Sequence, residues 1–202
     1  VFLEIKHMTP APRLKKQERF TYADYLSWPD DERWELINGV PYSMSPAPNR
    51  MHQKVSAALF NQLYNHLKGK SCETYSAPLD VRLPGISDAP DDEIDTVVQP
   101  DIVVICDPDK LDEKGCKGAP DLVVEILSPS TAEHDLKDKF YLYQRVGVLE
   151  YWIVNQTDKT LMIFKLNAAG EYGRPEMYGS RDLVAVPLLG DLEIDLAEVF
   201  AS

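Results

Sequence analysis

Two short apolar runs, Ile102–Cys106 and Leu122–Leu127, constrain this chain most. Apolar runs of that length between polar segments suit central strands covered on both faces. Each carries one acid. Asp101 immediately precedes the first run, and Glu125 interrupts the second between Val124 and Ile126. A carboxylate inside a buried strand is costly unless it is paired or bound to a cation. Strand alternation puts Asp121, Val123, Glu125 and Leu127 on one face. If the two strands are neighbours, Asp101 and Glu125 converge at one edge. Two converging carboxylates make an oxygen-ligand site of the Mg²⁺ kind. Such a site can activate water and neutralise a phosphodiester in its transition state.

The flanking sequence supplies the other elements. Thr21-Tyr-Ala-Asp24 resembles a capping box that opens a short helix, ended by Trp28-Pro29. Arg33 to Met44 reads as a hairpin, because Asn38-Gly39 is the favoured pair where both turn residues need positive φ. Arg33, Glu35 and Ile37 then share one strand face. Met51, Val55, Leu59, Leu63 and Leu67 step by four, which predicts an amphipathic helix over about 50–68, stopped by Gly69. Cys72 to Leu83 reads as a strand. Residues 84–98 are acidic with Pro and Gly, and read as a loop over a site. A polar connection, 107–119, separates the two apolar runs. A helix is expected over 133–146, then strands at Glu150–Asn155 and Lys159–Leu166. The sum is an α/β (α+β) chain, a mixed sheet flanked by helices. Residues 1–19 are expected to form a flexible arm, and 20–202 one domain.

Charge and cysteines narrow the setting. With 202 residues and a net charge of −12, the chain is no general nucleic-acid coat protein, which would be basic. The imbalance does not exclude a nuclease, since a local basic rim can still hold phosphates. Cys72, Cys106 and Cys116 are widely spaced and give no disulfide framework. Cys106 reads as a small core residue, and this usage predicts a reducing, cytoplasmic setting, while the apolar runs are far too short to span a bilayer.

Lys139 follows Asp135 by four, so both project from one helix side. It falls among Leu136, Phe140 and Tyr143, where a structural helix prefers an apolar residue. Two readings stand: the ammonium reaches inward to a phosphate or water, or it snorkels to solvent. Glu35 likewise reads as a cross-strand salt-bridge partner or as a site acid. His52 reads as a hydrogen-bonded, half-buried histidine or as a ligand.

Pro100-Asp101 followed by Val123-Val-Glu125-Ile-Leu resembles the PD-(D/E)XK nuclease superfamily. More closely, the chain resembles the Uma-two family of restriction endonucleases. The stretches that carry this are Thr21–Tyr25, Trp34–Gly39, His52, Gln99–Val104, Pro120–Thr131, Asp135–Lys139 and Tyr143 to Trp152. The resemblance implies a restriction-endonuclease-like core, Mg²⁺ or Mn²⁺, and hydrolysis of phosphodiester bonds, with DNA as the expected substrate. It carries over Asp101 and Glu125 as metal ligands, Glu35 as the acid of the first element, and His52 as a further site residue. The lysine usual two residues after the second acid is Leu127 here. The resemblance supplies it from the next helix, as Lys139. A homodimer would suit a duplex cutter, whose two sites are related by a twofold axis. The alternative is a non-catalytic binding or structural module on the same fold.

Overall fold

The structure is a computed structural model that describes residues 19–29, 32–44, 47–85, 89–128 and 132–201. The expected arm thus lies almost wholly outside the described residues. Thr21 caps a one-turn helix, α1 (Tyr22–Tyr25), and the capping box with Asp24 is complete. Strands β1 (Trp34–Ile37) and β2 (Val40–Ser43) form the hairpin, with Asn38 and Gly39 at φ 50° and 75°. Asn49 caps the long helix α2 (Arg50–Leu67), which buries Val55, Leu59, Leu63 and Leu67 along one stripe.

The segment read as one strand from Cys72 is two. Strand β3 (Glu73–Ser76) ends before a cis Ala77–Pro78 bond, and β4 (Val81–Arg82) joins a different sheet. The acidic loop does not lie free, because Ala89 and Ile94 are buried against Tyr22, Leu36 and Val97. It leads into β5 (Val97–Val98), and β6 (Ile102–Ile105) is the first apolar run. The polar connection holds a small hairpin, β7 (Leu111–Asp112) and β8 (Gly115–Lys117). The second run is β9 (Leu122–Ile126). A π-helical turn, His134–Lys139, runs into α3 (Phe140–Val146). Strands β10 (Glu150–Asn155), β11 (Thr160–Lys165) and β12 (Glu176–Gly179) follow. The chain then forms the hairpin β13 (Leu183–Val186) and β14 (Leu192–Asp195), and α4 (Leu196–Val199).

The architecture is mixed α+β, as expected, with its strands divided among sheets. One six-stranded sheet runs β2-β1-β5-β4-β8-β7, another runs β12-β11-β10-β9-β6-β3, and β13-β14 stand as a pair. The second sheet is covered on both faces. Ile102, Val104, Leu122 and Val124 pack with α2 and the C-terminal hairpin. Val103, Ile105, Val123, Tyr151 and Ile153 pack with the first sheet and α3. That two-sided burial is why β6 and β9 are apolar at successive positions rather than alternate ones.

The cysteine reading is corrected. Cys72 and Cys106 form a disulfide. The antiparallel register of β3 and β6 pairs Glu73 with Ile105, which sets Cys72 against Cys106 one step further. Only Cys116 is a free, buried thiol. The bridge removes the cysteine argument for a reducing compartment. Among the described residues no helix is long and apolar enough to cross a membrane.

Candidate active site

The β6–β9 register sets the geometry. Ile102 pairs with Val124 and Val103 with Val123, so Asp101 stands against Glu125. Asp101 Oδ2 accepts the Ile126 N–H at 2.7 Å and the His52 Nε2–H at 3.1 Å, which ties β6 to β9 and to the first turn of α2. Glu125 is buried on β9. Its Oε1 accepts Lys139 Nζ at 2.9 Å and the Tyr143 hydroxyl at 2.8 Å. Lys139 Nζ also lies 2.9 Å from Glu35 Oε1 and 3.6 Å from Asp135 Oδ1. Glu35 Oε1 takes a further hydrogen bond from the Gln99 backbone N–H at 2.9 Å. All five residues singled out in the sequence, Glu35, His52, Asp101, Glu125 and Lys139, line one cleft of about 520 Å³.

Lys139 does not snorkel. It is 3% exposed, with its ammonium enclosed by carboxylates. The π-helical turn explains why. Hydrogen bonds from i to i+5 widen the turn, so positions four and five apart face the same way. His134, Asp138 and Lys139 then face one side, with Asp135 beside them, and all four line the cleft. Leu136, read as part of the apolar face, points outward and is 45% exposed.

Residues 22–197 match the Uma2 family, whose description is "Putative restriction endonuclease". The chain belongs to the Uma2 family. An uncharacterised protein of Synechocystis sp. (strain ATCC 27184 / PCC 6803 / Kazusa) is 30% identical over 166 residues, which cover 81% of this chain and 80% of that protein. A crystal structure described as a putative nuclease belonging to DUF820 from Anabaena variabilis ATCC 29413 matches with a TM-score of 0.70. It is 19% identical, and the match covers 90% of this chain and 98% of that one. At that identity the likeness is one of fold.

The electrostatics of this Uma2 cleft follow from a surplus of acids. Burial works to raise the Glu35 carboxyl, but Lys139, His134 and the Gln99 N–H outweigh it and bring it down from 4.5 to about 2. Glu125 moves the other way. Burial, with Asp135, Asp101 and Glu35 nearby, holds it well above the ordinary carboxylate range despite Lys139. Lys139 is driven up by Glu125, Glu35 and Asp135 against the effect of its own burial. One buried ammonium therefore serves more carboxylates than it can neutralise. A divalent cation would relieve that surplus. Asp101 Oδ1 and Glu125 Oε2 have no hydrogen bond among the described residues, so the donor set fits a hard cation. Among those residues no group of three or more His, Cys, Asp or Glu side chains is placed to hold a metal ion, so the protein would offer the cation Asp101 and Glu125 alone.

Several cleft residues escaped the sequence reading. Asp135 shares the helix side of Lys139, as its spacing predicts, but the sequence does not mark it as a site acid; it is buried beside Lys139. Tyr143 reads as a core aromatic, yet its hydroxyl is bound to Glu125. His134 stacks on Tyr42 with centroids 4.4 Å apart, and its Nε2 lies 3.7 Å from Glu35 Oε2. Gln99 precedes Pro100-Asp101 and drew no attention as a neutral side chain. Asp121 does not enter the cleft, because its Oδ2 accepts the Cys106 N–H. Asp80 accepts the hydroxyls of Tyr22 and Tyr25 and the Gln99 amide, and so acts as a structural hub.

Proposed function

We propose that this Uma2 protein is a Mg²⁺-dependent endonuclease that hydrolyses phosphodiester bonds in DNA. One observation carries the reading. Two carboxylates from adjacent antiparallel strands converge on a cleft beside a buried lysine. Asp101 and Glu125 would hold Mg²⁺ or Mn²⁺ through the oxygens left without hydrogen bonds. Two protein carboxylates with water and substrate phosphate completing the shell is the usual habit of Mg²⁺. When bound, the cation would polarise the phosphoryl oxygen and lower the pKa of a water.

The chain's own residues prepare that site. His52 and the Ile126 N–H fix Asp101 through one oxygen and leave the other available. Lys139 and Tyr143 do the same for Glu125. Glu35 anchors Lys139 from the neighbouring sheet, so the ammonium stays beside the acids without a search for its rotamer. Its fixed charge lies next to where negative charge grows on the phosphoryl group. Cutting both strands of a duplex calls for two such sites, which a homodimer would supply.

The test is nicking of supercoiled plasmid by the wild type, Asp101→Asn and Glu125→Gln. The wild type should nick with Mg²⁺ and stop with EDTA, and both variants should lose cutting. Undiminished cutting by either variant, or cutting that ignores EDTA, would overturn the assignment.

A further inference from the structure

Arg33 is an exposed cation on the rim of an acid-lined cleft, in a chain with a net charge of −12. A carboxylate partner would be easy to find in such a chain. Arg82, for example, is paired with Asp112 and Asp91. Arg33 makes no ion pair among the described residues. Its Nε and Nη2 both donate to one neutral acceptor, Gln99 Oε1, at 3.0 and 2.7 Å. Two bonds to one oxygen fix the plane of the guanidinium, and no carboxylate among the described residues compensates its charge. Nη1 has no hydrogen bond among the described residues.

The acceptor is itself held. Gln99 is 9% exposed, and its amide nitrogen donates to Asp80 Oδ1 at 2.8 Å and to the Tyr25 hydroxyl at 3.1 Å. Those bonds fix the amide orientation, so that its oxygen faces Arg33. The same residue's backbone N–H holds Glu35. Arg33 immediately precedes β1 and Glu35 is the second residue of that strand, so the two lie two apart on one face. One residue, Gln99, therefore sets both the acid at the cleft floor and the cation at its rim. A guanidinium on the rim of a cleft, with no ion pair among the described residues, is suited to a phosphate, whose oxygens it can meet with two parallel N–H groups.

We propose that Arg33, aimed by the Gln99 carboxamide, is the seat for a backbone phosphate of the nucleic-acid strand entering the cleft. The proposal rests on the endonuclease reading and adds a substrate-binding residue to it. The seat reads charge and shape of the backbone, not the base. It also answers how so acidic a chain can hold a polyanion: a fixed cation stands at the entry, and the acid surplus lies at the floor.

The experiment uses fluorescence anisotropy of a fluorescein-labelled duplex oligonucleotide, titrated across salt in EDTA. The host is the full chain carrying Glu125→Gln. Adding Arg33→Met should weaken binding about tenfold and reduce the slope of log K against log salt by about 0.9, the value for one lost phosphate contact on a duplex. Arg33→Lys should keep the slope. Gln99→Met should keep the slope and weaken binding several-fold, since the charge remains but its aim is lost. Melting temperatures identify any variant that fails to fold. Arg33→Met with the host's affinity and slope would overturn the seat and leave the nuclease reading standing. Gln99→Met that binds like the host would overturn the aiming role. If the host does not bind but the wild type nicks plasmid, an unchanged KM for Arg33→Met overturns the seat and a raised KM supports it. A host that does not bind and a wild type that does not nick would overturn both.

Discussion

Replacing Lys139 with Met keeps most of the side-chain volume and removes the one ammonium that the described residues place among Glu35, Glu125 and Asp135. The cost can be worked from Glu35. Its fall from 4.5 to about 2 has Lys139 as the largest favourable cause, acting against burial. At about 1.4 kcal/mol per unit the whole shift, to which His134 and the Gln99 N–H also contribute, is about 3 kcal/mol. Breaking a buried pair by removing one partner costs about 3–5 kcal/mol, which agrees. Typical domains hold only about 5–15 kcal/mol in all, so Lys139→Met should be folded but visibly weakened. The pH dependence gives the sharper signature. In the wild type Glu35 lies below its unfolded value. Its contribution is present above pH 4.5 and is lost as pH falls toward about 2. Glu125 is already raised in the wild type; in Lys139→Met the buried carboxylates repel one another without a cation, so Glu125 rises further and Glu35 joins it above its unfolded value. The folded state then binds the extra protons, so stability rises as pH falls, by up to about 1.4 kcal/mol per unit for each proton. Urea unfolding in EDTA at pH 7.5 and pH 5.5 reads both effects. A loss under about 1 kcal/mol at pH 7.5, or a loss that deepens at pH 5.5, would refute the three-acid account of Lys139.

Two further predictions follow from single contacts. His134 is raised above its ordinary value; burial opposes this, and Glu35 and Asp138 drive it. Its contribution is therefore full below about pH 6.5 and fades as pH rises through the folded value. Melting curves of the wild type and His134→Gln should differ most at pH 6 and draw together as pH rises through the folded value, and a gap that widens with pH would contradict this. Gly115 has φ 121°, and a Cβ there would run into the Asp80 carbonyl oxygen. Gly115→Ala should cost about 1–3 kcal/mol in urea unfolding, and a neutral result would show that the β7–β8 hairpin can shift away from Asp80.

The parts legible in the sequence were those where one residue broke a strong pattern. Asp101 and Glu125 stood out because apolar strands have no ordinary use for a carboxylate, and the turn pair Asn38-Gly39 placed Glu35 on its strand. Lys139 was visible only as an oddity. Its direction depends on the π-helical turn, and reading 133–146 at ordinary helical spacing put Leu136 inside and left the lysine ambiguous. The same turn hid His134, whereas Asp135 was visible as the neighbour of Lys139 four residues back. Tyr143 was hidden differently, since an aromatic in a core helix needs no further reason. The Cys72–Cys106 bridge depends on β3 pairing with β6, a contact between segments far apart in the chain. That β3 and β4 belong to different six-stranded sheets is likewise a matter of long-range pairing, which the run from Cys72 to Leu83 does not show. The strands of the β7–β8 hairpin are too short to show a period.

The central claim is that Asp101 and Glu125 share a divalent cation, and the direct measurement is calorimetric titration of the full chain with Mn²⁺. The wild type should bind in the cleft and gain melting temperature with added metal, because a ligand of the native state stabilises it. Asp101→Asn and Glu125→Gln should each weaken that binding severely. Wild-type protein that takes up no Mn²⁺, or variants that bind it as tightly as the wild type, would contradict the account.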